Sequence, residues 1–187
     1  SLGNLNNAFQ DMLQGPNMRL MLAKDINTDQ AEIVRAQKNA LLDTDLASAM
    51  NYYKSAEQRL DQMEARIREA HQTAAEVNKP TWEKLLQDTA AFRQHSVDMV
   101  AAHQRGDRMK AMEISNGPLR DLGPSIRNAI VDLQGVAQKN VDLAVAEGEA
   151  QYQSTRTLLI SAAAAALLIA IVAATWLSIS VSRGLGQ

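Results

Sequence analysis

The chain has 187 residues and a formal net charge of −2 at pH 7, from 19 lysines and arginines against 21 aspartates and glutamates, with no cysteine. Nothing in that balance supplies the clustered positive footprint of a nucleic-acid partner. The missing thiols exclude disulfides, thiolate metal sites and cysteine catalysis.

Strong helix formers (Ala, Leu, Gln, Glu, Lys, Arg and Met) dominate, and no β-branched alternation interrupts them. The first helix is predicted over 4–42. Its opening, SLGNLNNAF, carries no cap or start signal, so a membrane-spanning helix is expected to precede it. Its apolar residues Met12, Leu13, Met18, Leu20, Met21 and Leu22 fall on more than one face, which suits a helix that meets both its own core and a second copy of the chain.

Asp43-Thr44-Asp45 supplies capping side chains for a tight turn into a second helix over 45–77. There Leu46, Ala49, Tyr53, Ala56, Leu60, Met63, Ile67, Ala70, Ala74 and Val77 keep a strict 3-4 spacing, the seam of a left-handed helix packing. Asn78-Lys79-Pro80 ends it, and Pro80 suits the first turn of a third helix over 80–104. The third seam runs Trp82, Leu85, Thr89, Phe92, Ser96, Met99 and His103. Arg105-Gly106-Asp107 combines a C-terminal glycine stop with the next N-cap.

The fourth helix, over 107–182, places Leu119, Leu122, Ile126, Ala129, Leu133, Val136, Asn140 and Leu143 on its seam. Pro118 and Pro124 predict a kink, or a fresh start at Pro118, because neither can donate to the carbonyl four residues back. From Leu158 to Val181 no residue is charged, and Arg156 and Arg183 flank the run. Such a stretch rises about 36 Å at ~1.5 Å per residue, enough for a ~30 Å hydrocarbon core, and Trp176 suits an interfacial anchor.

The fold class predicted is therefore all-α: an antiparallel up-down-up-down four-helix bundle whose last helix continues into a transmembrane helix. Its parts are the bundle over 1–156, the span over 157–182 and a short segment beyond it over 183–187.

No catalytic constellation emerges, so the chain is read as a non-enzyme without cofactor or metal. His95 and His103 stand eight apart on one helix, too far for an i, i+4 metal clamp, and no phosphate loop or nucleophile motif occurs. A small-molecule site is sought instead at polar seam positions. Counting outward from the two turns brings Arg35 level with Tyr52 and Tyr53, Ser96 level with Ser115, and His95 level with Asn116. Both turns lie at one end of a bundle, so these seven residues define the first candidate ligand level. Arg59, Arg66, Arg120 and Arg127 form the second, four cations beside adjacent seams that could hold a multivalent carboxylate. The bland alternative is that such arginines lie along the surface and pair with acidic neighbours.

The helix lengths, the final span, and HQRGDRMKAM (His103 to Met112) between the third and fourth helices give the chain a family likeness. It resembles the ligand-binding region of bacterial methyl-accepting chemotaxis proteins, the four-helix-bundle type. The closing SISVSRGLGQ is similar to the entry of a HAMP linker, with Gly184 where that family usually has proline. The resemblance implies a periplasmic homodimeric sensor in the bacterial inner membrane. It also implies a small chemoeffector, an organic acid or amino acid, and a cytoplasmic signalling region further along the chain. It assigns Arg35 the role of the first-helix arginine that meets the effector's carboxylate. Sensor histidine kinases carry the same kind of input domain, and a ligand-free membrane-anchored bundle is the reading from another class.

Overall fold

The computed structural model describes the backbone of residues 2–184 and the side chains of residues 15–176. The last three residues of the expected linker, and the side chains of Met12 and Leu13, lie outside that description. All elements among the described residues are helical: α1 (Leu2–Leu42), α2 (Leu46–Gln72), α3 (Lys79–Gln104), α4 (Arg108–Ile114) and α5 (Arg120–Gly184). A 3-10 turn, Glu76–Asn78, leads into α3, and a π-helical turn, Ser115–Leu119, joins α4 to α5.

Turn chemistry sets the boundaries. Asp45 caps α2 by accepting from the Ser48 amide at 2.9 Å, while Asp43 accepts from the Asp45 amide at 3.0 Å and the Ser48 hydroxyl at 2.6 Å. α2 stops at Gln72, short of the expected 77. The Thr73 hydroxyl bonds back to the Glu69 and Ala70 carbonyls, each at 3.3 Å, and so competes with the helical ladder. Pro80 lies in the first turn of α3, as its missing N–H requires. At the far end Gly106 adopts φ 82°, which lets its own amide reach His103 O at 2.9 Å and the Asp107 amide reach Ala102 O at 3.0 Å. Asp107 then caps α4 through the Lys110 amide at 2.9 Å.

The expected single fourth helix is interrupted, although no fresh helix starts at Pro118. Pro118 has no N–H for the Ile114 carbonyl, and the chain absorbs the gap as a π turn within a continuing helical run. Pro124 is carried inside α5 without a break.

The chain divides into two compact units, Ser1–Asp142 and Leu143–Gln187. In the first, α1 packs on α2, α2 on α3, and α3 on α4 and the π turn. The core takes Ala49, Tyr53, Ala56, Leu60, Met63, Ile67 and Ala70 from α2, all on the predicted seam. All seven α3 seam residues are buried as well. From α1 come Ile26, Ile33 and Ala40, and from the helix beyond the π turn Ile126, Ile130 and Leu133. A void of about 50 Å³ touches Ala23 of α1, Ala70 of α2, Trp82 of α3 and Leu133 of α5, so four helices contribute to one layer.

The α5 seam departs from expectation after Leu133. Val136 and Leu143 are exposed, and Ala137 is buried in place of Val136. A helix of 3.6 residues per turn drifts against a 3.5-residue repeat, and here the inward face moves on by one position. Buried and half-buried side chains bridge the elements. Gln30 donates to the Gly123 carbonyl at 3.2 Å, Gln134 to the Ala23 carbonyl at 3.0 Å, and Ser125 to Asp88 at 2.6 Å.

In the second unit the chain is helical from Leu143 to Gly184. Leu158, Leu168, Val172 and Trp176 are all exposed. By length and composition α5 includes a stretch apolar enough to cross a membrane, and none of that stretch is buried.

Candidate ligand cleft between the second and third helices

Helices α2 and α3 border a cleft of about 370 Å³, within the size range of small-molecule sites. Met50, Tyr53, Ala56 and Leu60 form the α2 wall, and Val97, Val100 and Ala101 the α3 wall. One residue of α1 reaches in, Gln37, which together with Ser96 supplies polar lining.

The Gln37 Nε2 group donates to the Ser96 hydroxyl at 2.8 Å, and that hydroxyl donates to the Phe92 carbonyl at 2.8 Å. Both side chains are buried, and Gln37 is only 6% exposed. Among the described residues its Oε1 has no hydrogen-bond partner, so a residue that lines the cleft keeps a free acceptor.

At the upper end, the Tyr53 hydroxyl and His103 Nδ1 share a hydrogen bond at 3.0 Å, with the two rings edge to face at 5.7 Å between centroids. Burial pushes the Tyr53 hydroxyl up to about 12, against a smaller opposing pull from Arg108. The phenol stays neutral throughout the physiological range.

Charged groups sit at the rim. Arg93 bonds Glu64 at 2.8 Å and Asp61 at 2.7 Å, so two carboxylates of α2 hold its guanidinium. Burial opposes the Arg93 charge, but bonds to Glu64 and then Asp61 outweigh it, and its basicity is raised. Lys54 and Glu57 also line the cleft, both exposed, and neither has an ion-pair partner among the described residues.

Of the seven residues in the first candidate level, the cleft takes Tyr53 and Ser96. Arg35 does not line it: its side chain is 67% exposed and pairs with Glu32 on its own helix. Tyr52 is exposed, while Tyr53 faces inward. His95 is half-buried, Ser115 and Asn116 belong to the π turn, and none of the three lines the cleft. Counting from a turn gives height along a helix and leaves direction around it open. Ile33 and Gln37 are buried, so Arg35, two positions from each, lies on the opposite side.

The second candidate level does not assemble as four cations. Arg59 and Arg66 converge on Asp29 of α1, a carboxylate whose side chain is 3% exposed; Arg59 approaches it at 3.4 Å and Arg66 makes the closer contact. Arg120 and Arg127 are exposed on the far helix. The two α2 arginines therefore serve a buried anion that the sequence reading missed.

Gln37 and Arg93 were missed as well. Gln37 had a readable signal, since it continues the 3-4 spacing of Ile26, Ile33 and Ala40 as a polar residue on a buried face. Arg93, next to Phe92 on α3, had none, because its role depends on carboxylates 29 and 32 positions away. Among the described residues no group of histidine, aspartate or glutamate side chains is arranged to hold a metal ion. Comparison with protein-family models, with curated proteins and with solved structures gave no match.

Proposed function

We propose that the chain is the ligand-sensing and transmembrane signalling region of a bacterial chemotaxis receptor. Its sensor part is an antiparallel up-down-up-down four-helix bundle on the periplasmic side of the inner membrane. The observation that carries this reading is the α2/α3 cleft on a helical unit whose α5 runs on into a lipid-compatible stretch.

The bundle topology is supported by which residues meet. Asp29 meets Arg59, and Lys84 and Asp88 meet Ser125, as the level counting for antiparallel neighbours requires. The layer shared by Ala23, Ala70, Trp82 and Leu133 supports it further. A homodimer along α1, with help from α5, is supported by the large apolar side chains of Met18, Met21 and Val136, which stand exposed.

In this scheme a ligand enters between α2 and α3 and meets Gln37 of α1 at the base. Occupancy biases how α1 and α3 pack, and α5 carries the bias to the membrane and to a HAMP-type linker. Binding transmits nothing unless affinity differs between the two packing arrangements.

The test is a calorimetric screen of the full chain in nanodiscs against organic acids, amino acids and amines, in parallel with Val97→Trp, which fills the cleft from its exposed rim. A ligand that binds the native chain and is lost in Val97→Trp supports the reading. A ligand that binds both chains equally places recognition elsewhere. No binding throughout the screen favours a structural bundle.

A further inference from the structure

The cleft described above also has an electrostatic character, and that character differs from an anion site. Arg93 lines the cleft at one end of its α3 wall, and two carboxylates already hold it. With both Glu64 and Asp61 against it the positive charge of this guanidinium is already offset, which weakens its pull on an incoming carboxylate although only two of its five N–H groups are engaged. Arg35, the arginine expected to meet an anion, is outside the cleft.

Two of the lining groups left without partners point the other way, and Lys54, a cation one helical turn from Glu57, is also unpaired among the described residues. Gln37 presents its Oε1 acceptor from a side chain more than nine-tenths buried, its Nε2 being spent on Ser96. Glu57 lines the same cleft, with no cation paired to it among the described residues. Both are acceptors. Of the charged groups lining the cleft, Lys54 and Arg93 are positive and Glu57 negative; Asp61 and Glu64 lie outside the lining but against Arg93, and only with them counted is the balance negative by one.

Resting on the cleft as the ligand site, we infer that it recognises a primary ammonium group borne on a small apolar body. The ammonium donates to Glu57 and to Gln37 Oε1, two of its three N–H groups, as a compact point charge can. The apolar body lies against Leu60, Val97 and Val100. Lys54, three positions before Glu57 on α2, is placed to meet a carboxylate if the ligand carries one. The shared chemistry therefore covers simple amines and amino acids and disfavours organic acids, since the latter bring a second anion to an acceptor-rich rim.

The test uses the full chain in nanodiscs at pH 7 and three matched probes: 2-phenylethylamine, phenylalanine and 3-phenylpropionate. Isothermal calorimetry is expected to give binding for one or both ammonium compounds, and at least about tenfold weaker binding for 3-phenylpropionate. Glu57→Gln, at an exposed position, should weaken the ammonium compounds by about tenfold or more without changing the melting temperature, and Glu57→Asp should recover part of the loss. Phenylalanine binding tighter than the amine, with the advantage lost in Lys54→Gln, identifies an amino acid as the source; equal binding identifies a simple amine. If 3-phenylpropionate binds as well as the amine and is lost in Val97→Trp, the cleft stands and ammonium recognition is overturned. If neither ammonium compound binds at millimolar concentration, the inference is overturned, and only the broader screen decides the fate of the cleft.

Discussion

Gln37 of α1 and Ser96 of α3, 59 positions apart in sequence, hold one another at 2.8 Å beneath the cleft. Among the described residues no other side chain of α1 lines that cleft, so in the proposed scheme this bond is the direct link between a ligand and the first helix. Removing one partner strands a buried polar group. Ser96→Ala is therefore expected to cost about 1–3 kcal/mol, and Gln37→Leu combined with Ser96→Ala less than the sum of the single changes. Chemical denaturation of the four proteins in detergent, followed by helical circular dichroism, measures the coupling. Strict additivity would show that the bond carries no energy.

Asp29 sets up an asymmetry of a different kind. Its side chain is 3% exposed, whereas those of Arg59 and Arg66 are 42% and 32% exposed. Truncating both arginines leaves a buried carboxylate unpaired, at an expected cost of about 3–5 kcal/mol. Asp29→Leu frees two cations that can reach water and is expected to be nearly neutral. The same denaturation measurement decides, and an Asp29→Leu variant as damaged as the double arginine variant would contradict the account.

Tyr53 provides a pH signature. Burial raises its hydroxyl to about 12, above the ordinary tyrosine value of 10.0. The folded state then keeps a proton that the unfolded state releases, so stability is full below pH ~10 and falls as pH rises from about 10 toward 12. In an ultraviolet titration of tyrosinate, a component near pH 12 should be present in the native chain and absent in Tyr53→Phe. A native curve that completes by pH ~10.5 would contradict burial of this phenol.

Asp88 acts at the acid end. Burial works against its charge, but hydrogen bonds from Lys84 and Ser125 and the Lys84 charge prevail, and its carboxyl lies below the ordinary 3.8. Its contribution is present above pH ~4 and is lost as pH falls through the folded-state value. Ser125→Ala should therefore leave the melting temperature lower at pH 7 and bring it closer to the native one near pH 2.5. An equal deficit at both pH values would mean that Ser125 acts by packing alone.

Much of this structure was legible in the residues because a helix seam is a local signal. The α3 seam read from 3-4 spacing is the buried face found, and so is the α2 seam from Ala49 to Ala70, although Leu46 and Val77 at its two ends are exposed; Asp45, Gly106 and Asp107 end or start helices where their chemistry says they should. The α5 seam failed after Leu133, since spacing alone does not fix how far a long helix turns relative to its neighbours. The site was less legible. Tyr53 and Ser96 were found as polar seam residues, while Arg35, His95 and Asn116 were placed by height with no knowledge of facing. Arg59 and Arg66 looked like a cation site until Asp29 supplied the missing charge from another helix.

The central claim is that occupancy of the α2/α3 cleft is read out through α5 beyond the membrane. The most direct measurement is the histidine-kinase output of a chimera joining this chain, behind a membrane-insertion signal, to the cytoplasmic region of a characterised chemotaxis receptor. The ligand identified by calorimetry should shift kinase activity in the native chimera, with a half-maximal concentration near its measured affinity. Val97→Trp should abolish that shift and leave the basal activity in place. A kinase that ignores the ligand although the cleft binds it, or one that responds equally with the cleft filled, would contradict the account.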